Sequence, residues 1–191
     1  MAGLESADIG CGGGILSEAL CERGARVTAV DAAPELIEVA RKHATESGLS
    51  INYEVATCEQ LCQQKPESFD LVTCLELIEH VPDPEQLLAN LAGLIKPGGR
   101  LIISTLNRTA SAWALGIVAA EHVLGIVPKG THHYEKFIRP SELAAVARRN
   151  ALTLDDITGM HYDPFLRRAR KAQSPRVNYL ARFTKVDSET R

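Results

Sequence analysis

The chain alternates between short apolar runs and stretches in which apolar residues recur at helical spacing. The runs predict five strands, at residues 4–10, 26–31, 51–55, 69–74 and 100–106. Helical spacing predicts helices at residues 15–23, 34–47 and 84–94. A chain that alternates strands and helices in this way predicts a doubly wound, Rossmann-like α/β fold with a mostly parallel sheet.

The alternation stops after residue 106. Residues 107–137 form an apolar insertion in which large side chains recur at helical spacing from Trp113 to Val127. Gly116 and Gly125 interrupt the stretch, which is too short to span a bilayer. It could form a lid over a ligand site, an interfacial helix with Trp113 at the headgroup level, or a core helix.

The remainder of the chain predicts one more helix, at residues 141–149, and two more strands, at residues 151–158 and 177–183. The expected architecture is therefore a seven-stranded sheet in a single domain covering residues 1–191. A composition with 45% hydrophobic residues is sufficient for a substantial core in a chain of this length.

Three glycines at alternate positions follow the first predicted strand, in the segment Asp8-Ile9-Gly10-Cys11-Gly12-Gly13-Gly14. A glycine-rich turn between a strand and a helix lets a ligand lie against bare backbone. Asp31 ends the second predicted strand about 20 residues later, the separation at which a βαβ unit places a carboxylate beside a ribose. The loop and the acid together predict a nucleoside cofactor.

The glycine spacing narrows the choice of cofactor. A dinucleotide fingerprint has its third glycine at position six, and position six counted from Gly10 is Ile15. The spacing instead resembles the G-x-G-x-G loop of class I S-adenosylmethionine-dependent methyltransferases, in which Asp8 would face the amino acid part of the cofactor. Cys58 and Glu59, after the third strand, are candidates for the adenine contact.

Three ionisable residues, Glu76, Glu79 and His80, follow the fourth predicted strand, and ligands in open α/β sheets bind beyond the carboxyl ends of strands. On one helical turn, Glu76 would share a face with Glu79 and His80. Two carboxylates and an imidazole suit Mg²⁺, Mn²⁺ or iron. The alternatives are an acidic helix start beside a partly buried His80, and a general base at His80 or His132.

Charge and cysteine content limit the partners and the compartment. The net charge is −3, but residues 139–191 hold 11 basic and 6 acidic groups. The basic cluster contains Arg167, Arg168, Arg170, Lys171 and Arg176. It could attract anionic lipid or form a solvated face. No basic stripe with interleaved aromatic residues borders the glycine loop, which argues against a nucleic-acid substrate.

Five cysteines, an odd number, indicate reduced thiols in a cytosol or matrix, and we expect a soluble or peripheral protein.

Four segments together resemble the ubiquinone-biosynthesis O-methyltransferase family, whose members methylate catechol-type hydroxyls of polyprenylated quinone precursors. The segments are residues 8–16, 74–81, 104–108 and 127–132. The glycine loop and Glu79-His80-Val81 are shared by many methyltransferases, whereas the last two segments are more discriminating. The resemblance extends over nearly the whole chain.

The resemblance implies S-adenosylmethionine contacts at Asp8, Gly10, Gly12, Gly14, Asp31 and Leu75. It implies a divalent ion, Mg²⁺ by preference, at Glu76, Glu79 and His80, with His80 and Glu79 as the catalytic side chains. The family's insertion after strand five is implicated in membrane association. This favours the lid or interfacial interpretation of residues 107–137, with peripheral contact to anionic lipid at an inner membrane.

Family members also carry a segment before strand one that covers the cofactor and supplies an arginine to it, and we expect no counterpart here. Two other functions therefore stay open. The chain could methylate another small phenolic acceptor, or it could be a non-catalytic, lipid-associated subunit of a quinone-biosynthesis complex.

Overall fold

The structure is a computed structural model that describes residues 1–109, 136–163, 168–172 and 174–187. These residues form eight strands and five helices. In chain order they are β1 (Glu5–Ile9), α1 (Ile15–Glu22), β2 (Arg26–Asp31), α2 (Pro34–Glu46), β3 (Asn52–Val55), α3 (Cys58–Gln64), β4 (Phe69–Leu75), α4 (Pro84–Leu94), β5 (Ile95–Leu106), α5 (Pro140–Arg149), β6 (Leu152–Asp163), β7 (Arg168–Ala172) and β8 (Asn178–Lys185). The predicted α/β alternation is confirmed.

All eight strands belong to one sheet, in the order β3-β2-β1-β4-β5-β8-β6-β7. The five strands from β3 to β5 are parallel, and the three that follow are antiparallel. The order reverses at β1, because the chain adds β2 and β3 on one side and β4 and β5 on the other. The crevice beyond the carboxyl ends of β1 and β4 is therefore the place where a ligand is expected.

The prediction of seven strands was wrong by one, since the described residues contain eight. The additional strand, β7, pairs with β6 at the edge of the sheet and carries Arg168, Arg170 and Lys171 of the basic cluster. Its sequence lacks an apolar run, so it gave no strand signal. Lysine and arginine on an edge strand discourage pairing with other chains.

Lys96-Pro97-Gly98-Gly99, whose residue types are typical of a turn, lies within β5 as a bulge. Phe69 pairs with Ile95 and Leu71 with Arg100, so the β5 side of this register contains three extra residues. The bulge leaves the following residues in regular parallel pairing with β4. The carboxyl ends of the two strands consequently lie side by side.

Helices bury apolar side chains against the sheet in two clusters. One contains Leu20 of α1 and Ile37 of α2, and the other contains Leu61, Leu91 and Leu143 from α3, α4 and α5. Within the described ranges, no helix has the length and apolar character needed to cross a bilayer. Residues 110–135, which contain His132 and most of the apolar insertion predicted at residues 107–137, lie outside the described residues.

Candidate active site

Asp8, near the end of the central strand β1, holds three elements together beneath the glycine loop. Its carboxylate is buried, and Oδ2 accepts a hydrogen bond from the Ser17 hydroxyl while Oδ1 accepts one from the Thr73 hydroxyl, each at 2.7 Å. Burial raises the pKa of Asp8, and the two hydroxyl hydrogen bonds oppose that shift. Asp8 thus ties β1 to α1 and β4 at the edge where the ligand is expected.

The glycine loop has the backbone conformation that its sequence predicts. Gly10, Gly12 and Gly14 have φ angles of 72°, 53° and 88°, in the left-handed region that favours glycine. The Gly10 amide donates a hydrogen bond to the carbonyl of Val30 at 2.9 Å, which fixes the start of the turn on β2. The alternating glycines therefore shape the loop through its backbone.

Asp31 closes the same loop from the end of β2. Its Oδ2 accepts a hydrogen bond from the Gly12 amide and its Oδ1 accepts one from the Ala33 amide, both at 2.9 Å. A carboxylate oxygen has two lone pairs, so each oxygen keeps one acceptor direction for a ligand hydroxyl. The carboxylate is thereby oriented before any ligand binds.

Two cavities meet at Gly10. The first, of about 390 Å³, is lined by Gly10, Asp31, Cys58 and Glu59, together with residues of the loop after β4. The second, of about 450 Å³, is lined by Asp8, Gly10, Leu75 and residues at the start of α1. The structure thus gathers four of the six predicted cofactor residues around two adjoining cavities. The other two, Gly12 and Gly14, line neither cavity.

Gly14→Ala is expected to lower the free energy of unfolding by about 3 kcal/mol, combining a left-handed backbone penalty with overpacking. A Cβ at Gly14 would lie 2.3 Å from the Tyr53 hydroxyl oxygen. Urea denaturation measures the loss. Gly48→Ala is the matched control, because Gly48 also has a left-handed φ but has no heavy atom within 4 Å of the added Cβ. Equal losses for the two variants would contradict the steric argument.

The residues after β4 do not form the helical turn that the spacing suggested. Glu76 has a φ of 51°, unusual for a residue other than glycine, and helix α4 begins only at Pro84. The Glu76 amide donates to the Ser104 carbonyl oxygen at 3.2 Å, and Glu76 Oε1 accepts from the Ser104 hydroxyl at 2.6 Å. The expectation that Glu76, Glu79 and His80 share one helical face was therefore wrong.

Glu79 and His80 lie in opposite environments on this loop. Glu79 is 3% exposed, and its Oε2 accepts a hydrogen bond from the Thr105 hydroxyl at 2.9 Å. Its Oε1 is buried and has no hydrogen-bond partner among the described residues. Burial, followed by the charge of Glu76, raises the pKa of Glu79 to about 7. The His80 side chain is exposed.

The predicted three-ligand metal site is not assembled. In the part of the chain that the structure describes, no three side chains of His, Cys, Asp or Glu are grouped to hold a metal ion. The reason is that Glu79 points into the interior whereas His80 is exposed. Of the predicted ligands, Glu76 and Glu79 are the two carboxylates that could still hold an ion, because the charge of Glu76 acts on Glu79 and Glu79 Oε1 has no hydrogen-bond partner among the described residues.

Ser104 and Thr105 are site residues that the sequence did not assign. Both are buried near the end of β5, and their hydroxyls bind Glu76 and Glu79 respectively. A signal was present, because two hydroxyl residues interrupt an apolar strand at its carboxyl end. What the sequence did not supply was the pairing of β5 with β4.

Asn107 and Arg108 anchor the segments around the site. The Asn107 side-chain amide donates to the carbonyl of Pro175 at 2.5 Å. The Arg108 guanidinium donates to the carbonyl of Phe137 at 2.7 Å and pairs with Glu142 at 3.1 Å. The segment at residues 104–108, marked as discriminating, therefore fixes both the acidic loop and its neighbours.

Solved structures share this fold. A methyltransferase from Methanosarcina mazei superposes with a TM-score of 0.73 at 20% identity, covering 97% of this chain and 94% of that chain. Magnesium protoporphyrin IX methyltransferase from Synechocystis PCC 6803 with bound S-adenosylhomocysteine (SAH) gives 0.70 at 22% identity, covering 96% and 75%. These similarities confirm the predicted class I methyltransferase fold.

Sequence comparison identifies the family within this fold. The family profile described as "Methyltransferase domain" matches residues 7–103. The curated ubiquinone biosynthesis O-methyltransferase of Xanthomonas euvesicatoria pv. vesicatoria (strain 85-10) is 52% identical, and the match covers 95% of this chain and 76% of that protein. The protein of the same name from Xylella fastidiosa (strain 9a5c) is 51% identical, and the match covers 95% of this chain and 74% of that protein. The chain therefore belongs to the ubiquinone biosynthesis O-methyltransferase family and is an S-adenosylmethionine-dependent methyltransferase.

Proposed function

We propose that this protein transfers the methyl group of S-adenosylmethionine to a catechol-type hydroxyl of a polyprenylated ubiquinone precursor. The observation that carries the proposal is the pair of cavities that meet at Gly10, one containing Asp31 and the other containing Asp8 and Leu75. Their arrangement suits a ligand with a nucleoside at one end and an amino acid at the other. Family membership supplies the acceptor class.

The cofactor is proposed to lie across Gly10. The ribose hydroxyls would donate to the free acceptor directions of Asp31, and the adenine would lie beside Cys58 and Glu59. The amino acid end would extend into the cavity at Asp8 and Leu75. This places the sulfonium centre near the carboxyl ends of β1 and β4, beside the acidic loop.

Methyl transfer is an in-line displacement. The acceptor oxygen forms a bond to the methyl carbon while the bond from carbon to sulfur breaks, and the sulfonium leaves as a neutral thioether. The protein contributes chiefly by holding the three atoms in line at short distance. We propose that His80 takes the hydroxyl proton, because its neighbours Leu77 and Val81 line the cofactor cavity.

We also propose that the protein binds Mg²⁺ beside the cofactor. Glu76 and Glu79 are the side chains that would hold it, for the reasons of charge and unsatisfied acceptor given above. Bound Mg²⁺ would lower the pKa of a coordinated catechol hydroxyl.

Chelation is expected to lower kcat/KM at least tenfold, and added Mg²⁺ is expected to restore it, because an un-ionised phenol is a poor nucleophile. Methyl transfer measured in EDTA, then with excess Mg²⁺, tests this. Activity that survives thorough chelation would rule out the metal role. His80→Ala should in that case remain severe, by about 100-fold, while Glu76→Ala is mild.

The reaction itself is tested by transfer of a labelled methyl group from S-adenosylmethionine to a short-chain polyprenyl catechol. Product formation supports the proposal, and equal or faster methylation of unrelated phenols would favour another small acceptor. The non-catalytic alternative predicts no heat of S-adenosylmethionine binding in calorimetry, together with retained binding to liposomes. These three outcomes are mutually distinguishable.

We further propose peripheral contact with anionic lipid through residues 107–137, in a cytoplasm or mitochondrial matrix and within a quinone-biosynthesis complex. The support is the apolar sequence from Trp113 to Val127 and the exposed basic side chains of Arg170 and Lys171. Co-sedimentation with anionic vesicles, but not with zwitterionic ones, is the expected result. Equal sedimentation with both kinds of vesicle would contradict the electrostatic part.

A further inference from the structure

A third cavity, of about 480 Å³, opens between α4 and α5 next to the acidic loop. Its apolar lining includes Ile78, Val81, Leu88, Ile138, Leu143 and Val146. Ile78, Leu88 and Leu143 are buried side chains of the main core cluster. The volume lies within the range of roughly 300–1,000 Å³ that small-molecule sites occupy.

The third cavity adjoins the cofactor cavity. Val81 and Pro82 line both, so the loop after β4 forms the wall between them. Glu79 also lines the third cavity, and it carries the buried Oε1 that lacks a hydrogen-bond partner among the described residues. Glu79 therefore gives the cavity a polar group at the end nearest the proposed chemistry.

Charged side chains elsewhere on this cavity are already neutralised or exposed. Arg108 pairs with Glu142 at 3.1 Å, while Lys136 and Glu85 are exposed. The space between them is bounded by aliphatic groups that offer no hydrogen bonds. Such a lining selects a hydrocarbon over a polar ligand.

The inner wall of this open cleft consists of core side chains, and nothing covers the cleft among the described residues. Interiors are packed about as densely as organic crystals, with few voids larger than a water molecule. Side chains that line an apolar void lack dispersion contacts on one side. A hydrocarbon chain entering between α4 and α5 would supply those contacts and bury its own surface.

We propose that this cavity receives the first isoprene units of the acceptor's tail, with the ring held at the Glu79 end. The inference rests on the proposed function, since it concerns the same acceptor. It assigns tail recognition to apolar side chains of α4 and α5, Leu88, Leu143 and Val146, which lie outside the insertion. Val146, half-buried on α5, becomes a residue that determines tail specificity.

The test compares catechol acceptors that carry zero, one, two or three isoprene units. For the wild-type protein, kcat/KM is expected to rise at least tenfold from zero to two units, because each buried methylene adds to binding. Val146→Phe fills the cavity and is expected to lower kcat/KM about tenfold for the two-unit acceptor. The same variant should leave the acceptor without a tail within about twofold.

Ser141→Phe is the matched control, since Ser141 is exposed on the same helix and does not line the cavity. It should preserve the full dependence on tail length. The inference is overturned if wild-type kcat/KM is independent of tail length, or if Val146→Phe lowers kcat/KM equally for all acceptors. Absence of methylation for every acceptor would instead refute the proposed function. Circular dichroism and unchanged S-adenosylmethionine affinity establish that the variant is folded.

Discussion

Replacing Asp31 with alanine is expected to weaken S-adenosylmethionine binding by about 100-fold. Each hydrogen bond to a charged group contributes roughly 1.5–3 kcal/mol, and the proposed ribose contact contains two of them. Two such bonds at the lower end of this range contribute about 3 kcal/mol, which corresponds to on the order of 100-fold in the dissociation constant. The variant also removes the acceptor for the Gly12 and Ala33 amides, which loosens the loop. Isothermal titration calorimetry at fixed ionic strength measures the change.

Two comparisons separate the ribose contact from general charge effects. Glu38→Ala removes the same charge from the exposed surface of α2 and should leave the affinity within about twofold, as expected for an exposed charge. Asp31→Asn keeps one oxygen acceptor and should fall between alanine and the wild type. If Asp31→Ala is folded and binds the cofactor with wild-type affinity, the placement of the nucleoside between Gly10 and Asp31 is wrong.

The glycine loop shows which features a sequence reveals directly. Gly10, Gly12 and Gly14 were identified because a left-handed backbone excludes most side chains, and this constraint is local. Asp31 followed from chain geometry, since the length of a βαβ unit is nearly constant. The order of elements was readable for the same reason, because hydrophobic periodicity reports local structure.

The acidic loop shows what could not be read. Glu76 and Glu79 bind Ser104 and Thr105, which are 28 and 26 residues away along the chain. These contacts depend on the pairing of β4 with β5 and on a left-handed residue at Glu76 that no glycine marked. Spacing alone favoured a regular helical turn, and tertiary contacts overrode it. β7 was missed on similar grounds, since an edge strand needs no apolar run.

Glu79→Gln is expected to gain stability relative to the wild type as the pH rises. The free energy of unfolding of the variant minus that of the wild type should be about 3 kcal/mol larger at pH 8 than below pH 4.5. Burial raises the pKa of Glu79 from 4.5 to about 7, so the folded state binds this proton more tightly than the unfolded state does. The associated stability is full below pH 4.5 and is lost as the pH rises through about 7. Glutamine keeps the shape of the protonated acid and does not ionise.

The measurement is urea denaturation of both proteins between pH 4 and 8.5, in EDTA so that no divalent ion neutralises the carboxylate. Among the described residues, the titratable groups coupled to Glu79 are Glu76, Cys74 and Tyr179, and the charge of Glu76 raises the pKa of Glu79. Glu76→Gln should therefore shift the wild-type pH dependence downward without abolishing it. Glu85→Gln replaces an exposed acid of α4, and its free energy of unfolding should depend on pH in the same way as that of the wild type. If Glu79→Gln instead shows the same pH dependence as the wild type, burial does not raise the pKa of Glu79 and the expectation is wrong.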